Sequence, residues 1–175
     1  MRRFSHTHTR SLPAARVAGV SIGPTNPHEV AELGLKLPGM EYIEAIFRGE
    51  LPAPPISELM GFRGVTAEPG RAVFEMEPGP QHYNPIGSVH GGVALTLLDS
   101  AMGCAVHTLL DAGVGYTTLE LKTNFVRPMT ADTGVVRCEG VVIHHGSRIA
   151  TAEGKLTDAA GKLLAHGTTT CLIFR

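Results

Sequence analysis

Residues 84–103 read NPIGSVHGGVALTLLDSAMG. Two glycines open a long apolar run, and one carboxylate, Asp99, stands inside it. The loop GPQHYNPIGS (79–88) leads in and DAG (111–113) follows, so a helix is predicted from about Gly92 to Leu110. On a helical projection Val93, Leu95, Leu97, Leu98, Ala101, Met102, Ala105, Val106 and Leu109 cover most of the circumference. Thr96, Asp99, Ser100, Gly103 and His107 fall at offsets 3, 4, 7 and 11 and share one narrow stripe. A solvated stripe would carry Lys and Glu, and this one has neither. The pattern is that of a core helix whose stripe faces something other than water. A carboxylate there is costly unless it is paired or has a task. On the helix alone, a structural hydrogen-bond network explains Asp99 as well as catalysis does.

The glycines add a second signal. The first amides of a helix lack intrahelical acceptors, and Gly91 and Gly92 have no side chains to keep a ligand away from them. The positive end of the helix dipole points at the same place. Such a corner can hold the oxyanion of an acyl-transfer intermediate. Asp99 follows about two turns later, which suggests one substrate carbonyl lying near both groups. Taken alone, a Gly pair reads first as a tight turn.

Around the helix the period changes. MEYIEAIFR (40–48) is a candidate helix with Tyr42, Ile43, Ile46 and Phe47 on its apolar face. GELPAPP ends it, and ISELMG offers one more turn. FRGVTAE and RAVFEMEP read as strands joined at Pro69-Gly70. After the central helix come YTTLELKTNFVRP, GVVRCEGVVIHH, SRIATAEGKLTD and KLLAHGTTTCLIF, the last two joined by the hairpin signal DAAG. Strands with short links imply a meander-like antiparallel sheet, and one helix apolar on most sides implies a sheet wrapped around it. The expected class is α+β, with about six antiparallel strands around a long central helix and an N-terminal helical extension. The expected division is a flexible tail over 1–27, a helical segment over 28–55 and the main domain over 56–175.

The bulk numbers exclude several classes. A chain of 175 residues with 43% hydrophobic content fits one globular domain with a core. A net charge of -1 argues against a nucleic-acid partner, and no apolar run approaches a membrane span. Gly (21) and Pro (12) favour turns and strands over a helical bundle. Cys104, Cys138 and Cys171 lack any CxxC spacing, so neither a disulfide framework nor a metal site is implied, and a reducing, cytoplasmic setting is expected. Arg2, Arg3, Arg10 and Arg16 give the start of the chain a faint export-signal look, but no sustained apolar stretch follows.

Taken together, HGGVALTLLDSAMG resembles the central helix of the hotdog-fold acyl-CoA thioesterases of the phenylacetate-degradation type. That family places a carboxylate nine residues after the His of HGG, as Asp99 stands to His90, and often an Asn or Gln six residues before it, where Asn84 stands. TTLELKTNFVRP (117–128) matches its strand closing on Pro, and the C-terminal strands are similar. The resemblance spans roughly Ile56 to Phe174. It implies a hotdog fold, self-association as a homodimer or dimer of dimers, and a site between subunits that takes an acyl-CoA. Coenzyme A would be part of the substrate, with no separate cofactor. Asp99 would be nucleophile or general base. The Gly91 amide, with Gly92, would polarise the carbonyl, and Asn84 would position carbonyl or water. Thr117 or Thr118 of the partner subunit would hold the water, and His90 would orient the turn.

The remaining candidates are weaker. Gly103 lies on the stripe, and Arg127 and Arg148 are possible phosphate contacts of coenzyme A, although exposed strand-end arginines are the commoner case. Met60, Phe62 and Tyr83 are candidate pocket residues, and Met102 and Cys104 read as packing. His144 and His145, adjacent in a strand, point to opposite faces and make a poor chelate. No G-x-S-x-G elbow is present. The rivals are a non-catalytic acyl-CoA-binding hotdog protein and another hotdog enzyme, a hydratase or dehydratase, whose His–carboxylate motifs are not found. A transcriptional sensor would need a helix-turn-helix that the Pro/Gly-broken N-terminal region does not supply.

Overall fold

The computed structural model describes residues 26–175 and, ahead of them, the backbone of two short antiparallel strands, β1 (Arg16–Val17) and β2 (Val20–Ser21). The rest of the expected tail lies outside the described residues. Three helices come next: α1 (Pro27–Lys36), α2 (Gly39–Phe47) and α3 (Pro55–Met60). Strands β3 (Phe62–Glu68) and β4 (Arg71–Met76) precede the long helix α4 (Gly91–His107). Strands β5 (Gly115–Phe125), β6 (Val136–His145), β7 (Ile149–Asp158) and β8 (Leu163–Phe174) complete the chain. α1 begins where Asn26 caps it, its Oδ1 accepting from the His28 N–H at 3.1 Å. α1 lies in the stretch expected to be a helical segment over 28–55, within which the sequence singles out only 40–48 and ISELMG as helical.

The sheet is fully antiparallel in the order β3-β4-β6-β7-β8-β5. It is not a simple meander. α4 carries the chain across the face of the sheet, so β5 emerges at the far edge beside β8 and the loop after it returns to β6, next to β4. The predicted turns hold. Gly70 between β3 and β4 has φ +75°. In DAAG, Asp158 Oδ1 accepts from the Ala160 and Lys162 N–H groups at 2.9 Å, and Gly161 has φ +77°.

α4 is the core of the fold. Leu97, Leu98, Ala101, Met102, Ala105 and Val106 are at most 1% exposed, and each large side chain so buried contributes about 1.5–3 kcal/mol. The helix can settle this deeply because two paired strand positions lack side chains. Gly140 of β6 faces Gly154 of β7 in register. A Cβ at Gly140 would lie 2.4 Å from the Ala101 carbonyl carbon, and one at Gly154 would lie 2.8 Å from Leu98 Cδ2. Backbone cannot yield as a side-chain tip can. Gly140→Val should therefore destabilise the protein by about 2 kcal/mol or more, lowering the melting temperature by several degrees. A melting curve superimposable on wild type would refute this account of the helix–sheet contact.

α4 ends three residues earlier than the pattern predicts. Thr108 closes it, its hydroxyl donating to the Ala105 carbonyl at 2.7 Å and accepting from the Gly70 N–H at 2.8 Å. α2 docks at the same end. The Gly39 N–H donates to the Leu110 carbonyl at 2.9 Å, and a Cβ at Gly39 would lie 1.8 Å from the His107 carbonyl oxygen. The helical extension thus packs against one end of the α4 stripe.

Candidate active site

His90 is the N-cap of α4, and its Nδ1 accepts from the Gly92 N–H at 2.9 Å. That bond fixes the entry of the helix and leaves His90 organising the turn. It also withdraws Gly92 from the expected oxyanion contact, because its amide proton is already engaged. The Gly91 N–H has no acceptor among the described residues and opens onto a cavity of about 360 Å³. The Phe125 ring borders the same cavity, 3.0 Å from where a Gly91 Cβ would be.

Asn84 shares the Gly91 cavity, but its side chain is engaged in its own loop. Oδ1 accepts from the Ile86 and Ser88 N–H groups at 3.0 and 3.1 Å, and Nδ2 donates to Ser88 Oγ at 2.9 Å. This is an Asx-type turn that shapes the approach to HGG. One Nδ2 proton remains for a ligand. Arg127 borders the same cavity, with its Nη1 donating to the Leu163 carbonyl at 2.6 Å. Arg148 is exposed in the β6–β7 turn and borders neither this cavity nor the next.

Asp99 lies elsewhere. It opens onto a second cavity, about 420 Å³, with Ser100, Cys104 and His107 of α4 and Tyr116 and Thr118 of β5. The Thr118 hydroxyl donates to Asp99 Oδ1 at 2.9 Å. Within the single chain, the threonine that meets Asp99 is Thr118. Thr117 is exposed on the opposite face of β5. Asp99 itself is exposed rather than buried in the single chain. Of the predicted stripe, Asp99, Ser100 and His107 border the cavity, whereas Thr96 does not, its hydroxyl donating to the Gly92 carbonyl at 2.9 Å. Gly103 does not reach the cavity as a ligand contact, because the Tyr116 hydroxyl occupies the space of its missing Cβ. Cys104 borders the cavity instead of only packing, and burial with the nearby Asp99 charge pushes its thiol up to about 12.

The far wall of this cavity is the apolar face of α2. Tyr42, Ile43, Ile46 and Phe47 all border it. Phe47 seats in the gap left by Gly64 of β3 and meets Phe74 edge-on, with ring centroids 5.1 Å apart. Phe62 contributes as expected, but Met60 and Tyr83 do not line it. Tyr83 accepts from the Ala131 N–H at 2.9 Å. Tyr116, Cys104 and Phe125 were missed as site residues. The alternation of YTTLE places Tyr116 and Thr118 on one strand face and could have found the first of them.

Eight residues of helix separate Gly91 from Asp99, about 12 Å at 1.5 Å per residue. One carbonyl cannot touch both groups of a single chain, contrary to the expectation from the helix alone. Each chain holds two separate cavities, one at the amide corner with Gly91 and Asn84 and one beside the Asp99 carboxylate with apolar walls.

The Thioesterase superfamily model matches residues 86–165, which carry the HGG corner, α4, and β5 through most of the remaining sheet. A proposed esterase of Saccharolobus solfataricus is 34% identical over 76% of this chain and 91% of its own. Human acyl-coenzyme A thioesterase 13 is 30% identical over 59% of this chain and 73% of its own. A phenylacetic acid degradation-related protein of Ralstonia eutropha, a proposed thioesterase, superposes with a TM-score of 0.68 at 28% identity, covering 75% of this chain and 98% of that one. Identity at this level along almost the whole archaeal relative, on a six-stranded hotdog sheet with HGG opening its helix, settles the family: the chain belongs to the thioesterase superfamily and is a thioester hydrolase.

Proposed function

We propose that the substrates are acyl-CoA thioesters and that the working site is assembled from two copies of the chain. The observation that carries this reading is the Thr118–Asp99 pair at an apolar cavity, with Gly91 of the same chain facing a different cavity. A second copy placing its Gly91 corner over Asp99 completes the set. The free edge strand β5 suits such pairing, since the two copies would extend the sheet side by side. Leu119 and Phe125 on it are 56% and 57% exposed in the single chain. A homodimer, or two dimers paired again, follows from this arrangement.

The chemistry needs little machinery. Sulfur donates weakly into a thioester carbonyl, and the thiolate leaves readily, so one carboxylate and one oxyanion donor suffice. Asp99 takes a proton from water as the oxygen bonds to the carbonyl carbon, or attacks that carbon itself to give an anhydride that water then hydrolyses to the free acid and Asp99. The Gly91 N–H receives the developing oxyanion. The C–S bond then breaks and coenzyme A leaves as thiolate, which takes up a proton. Thr118 holds the carboxylate in position. Arg127, which borders the Gly91 cavity, is the candidate partner for a phosphate of coenzyme A. No cofactor beyond the substrate's own coenzyme A is required, and three free cysteines suit a cytoplasmic setting. The name of the human relative, an acyl-coenzyme A thioesterase, agrees with this class.

Thiol release from a panel of aryl- and alkyl-CoA thioesters tests the proposal. Turnover of at least one class is expected. Binding of acyl-CoA without release of thiol from any thioester would overturn it in favour of a binding protein.

A further inference from the structure

One strand touches both cavities. Thr118 of β5 holds Asp99, and Phe125, the last residue of β5, stands against Gly91. Both side chains are on the helix side of the sheet, since Thr118 pairs with Cys171 and Phe125 with Ala165, two core residues. Strict alternation would put positions 118 and 125 on opposite faces. The irregularity between Thr118 and Glu120 removes the conflict: Leu119 is an extra residue, and the alternation restarts after it. Glu120 then lies on the outer face, its Oε1 accepting from the Thr170 hydroxyl at 2.9 Å, and Leu121 packs against the core.

The free edge of β5 restricts how a second copy can pair with it. The Val126 N–H donates across to the Leu164 carbonyl of β8 at 2.7 Å. Backbone groups of an antiparallel strand point alternately to its two sides, so those of Leu121, Thr123 and Phe125 point to the open side. Pairing with an identical antiparallel strand therefore centres on a residue, not between two. Moving that centre by one residue slides the partner strand by two, about 7 Å. With Lys122 at the centre, and Leu119 passed as the extra residue, Phe125 of the partner subunit falls opposite Thr118. A centre at Leu121 or Thr123 misses this by the full step. Two further observations favour Lys122. The exposed apolar residues of the edge stand at its two ends, Leu119 at one and Phe125 and Val126 at the other, and this register sets each end against the other. On the outer face each exposed Lys122 lies diagonal to the partner subunit's Glu120, which offsets the two facing lysines.

We propose that two copies pair through β5 in a register centred on Lys122, and that Phe125 is thereby a positioning residue for the Asp99 site of the partner subunit rather than for that of its own chain. This rests on the two-copy acyl-CoA reading above. The Phe125 ring lies between the Gly91 amide of its own chain and Thr118 of the partner subunit. Its bulk sets the separation between the oxyanion donor and the base, and it keeps water out of the gap beside them.

Single cysteines test the register without turnover. Under mild oxidation Lys122→Cys should cross-link two chains, because facing residues at the centre of the pairing lie about 4.5–5.5 Å apart at Cα. Leu121→Cys and Thr123→Cys should cross-link far less, since each would be about 8 Å from its own copy, beyond disulfide reach. The native thiols are half-buried or buried, and wild type is the control. Faster cross-linking at 121 or 123, or none at any of the three positions, overturns the register. Phe125→Ala should lower kcat by about 10-fold or more with a smaller change in KM, the cost of misplaced reacting groups, while Lys122→Cys in the same chain still cross-links. Refolding Phe125→Ala with an equal amount of Asp99→Asn should restore about a quarter of wild-type activity, about fivefold above the mean of the parents, because each mixed dimer holds one site with both residues intact. Activity at the mean of the parents, or a Phe125→Ala kcat within about threefold of wild type, overturns the role across the interface. Cross-linking of Lys122→Cys without thiol release from any acyl-CoA keeps the pairing and removes the acyl-CoA reading. Turnover with the cross-link at 121 or 123 keeps that reading and overturns the register.

Discussion

Asp99→Asn should lower thiol release from acyl-CoA thioesters by roughly 10²-fold or more, the scale of lost acid–base catalysis, with little change in melting temperature. The two halves of this result come from the same geometry. Asp99 is exposed and, among the described residues, its side-chain partner is the Thr118 hydroxyl, which donates to Oδ1 at 2.9 Å. An Asn in its place keeps an oxygen that can accept that bond, so the fold loses nothing essential. The amide cannot take a proton from water or attack a carbonyl carbon, so the chemistry fails. Thr118→Val removes the positioning bond but keeps the carboxylate, and a smaller loss of about 5- to 20-fold is expected, in line with one hydrogen bond. Steady-state kinetics and thermal melts on the purified variants check both. If Asp99→Asn keeps more than a third of wild-type kcat/KM, Asp99 is a structural residue and the base lies elsewhere. A large fall in melting temperature would instead mark the carboxylate as part of the fold.

The fold was legible because α4 and its surroundings agree at every level. Period, turn residues and the apolar circumference of 93–109 all point to a core helix, and Gly140 and Gly154 give it room. Strand order was not legible. Local patterning describes each strand, whereas the neighbour of β5 is fixed by where α4 leaves the chain, a long-range fact. The site was half legible. The stripe Asp99–Ser100–His107 could be read from helical spacing, and the cavity contains all three. The glycine pair marked the helix start that borders a cavity, but the engagement of the Gly92 N–H by His90 depends on a rotamer, which no spacing reveals. Nor does spacing reveal that Asn84 turns inward on Ser88. The α2 face read as ordinary packing, because Tyr42, Ile43, Ile46 and Phe47 look the same whether they cover a core or a cavity. The reading that one carbonyl meets Gly91 and Asp99 failed on distance, and that failure carries the most functional information.

It leads to the second large effect. If each working site takes its carboxylate from one chain and its amide corner from another, two inactive variants should restore each other. Asp99→Asn removes the base. Gly91→Val covers the amide: its side chain would stand against the Phe125 ring, which is exposed and can give way, so the fold should survive. Blocking an oxyanion donor costs roughly 10²- to 10³-fold. Each variant alone should therefore retain about 1% of wild-type activity or less. Unfolding the two together in equal amounts and refolding them gives half mixed dimers by random assembly. Every mixed dimer holds one site with both defects and one with neither. Activity should then rise to about a quarter of the wild-type value, more than tenfold above either parent. Activity that stays at the mean of the parents would place Asp99 and its oxyanion donor in the same chain. That result would require a donor other than Gly91, since about 12 Å of helix keeps that amide from Asp99 within one copy.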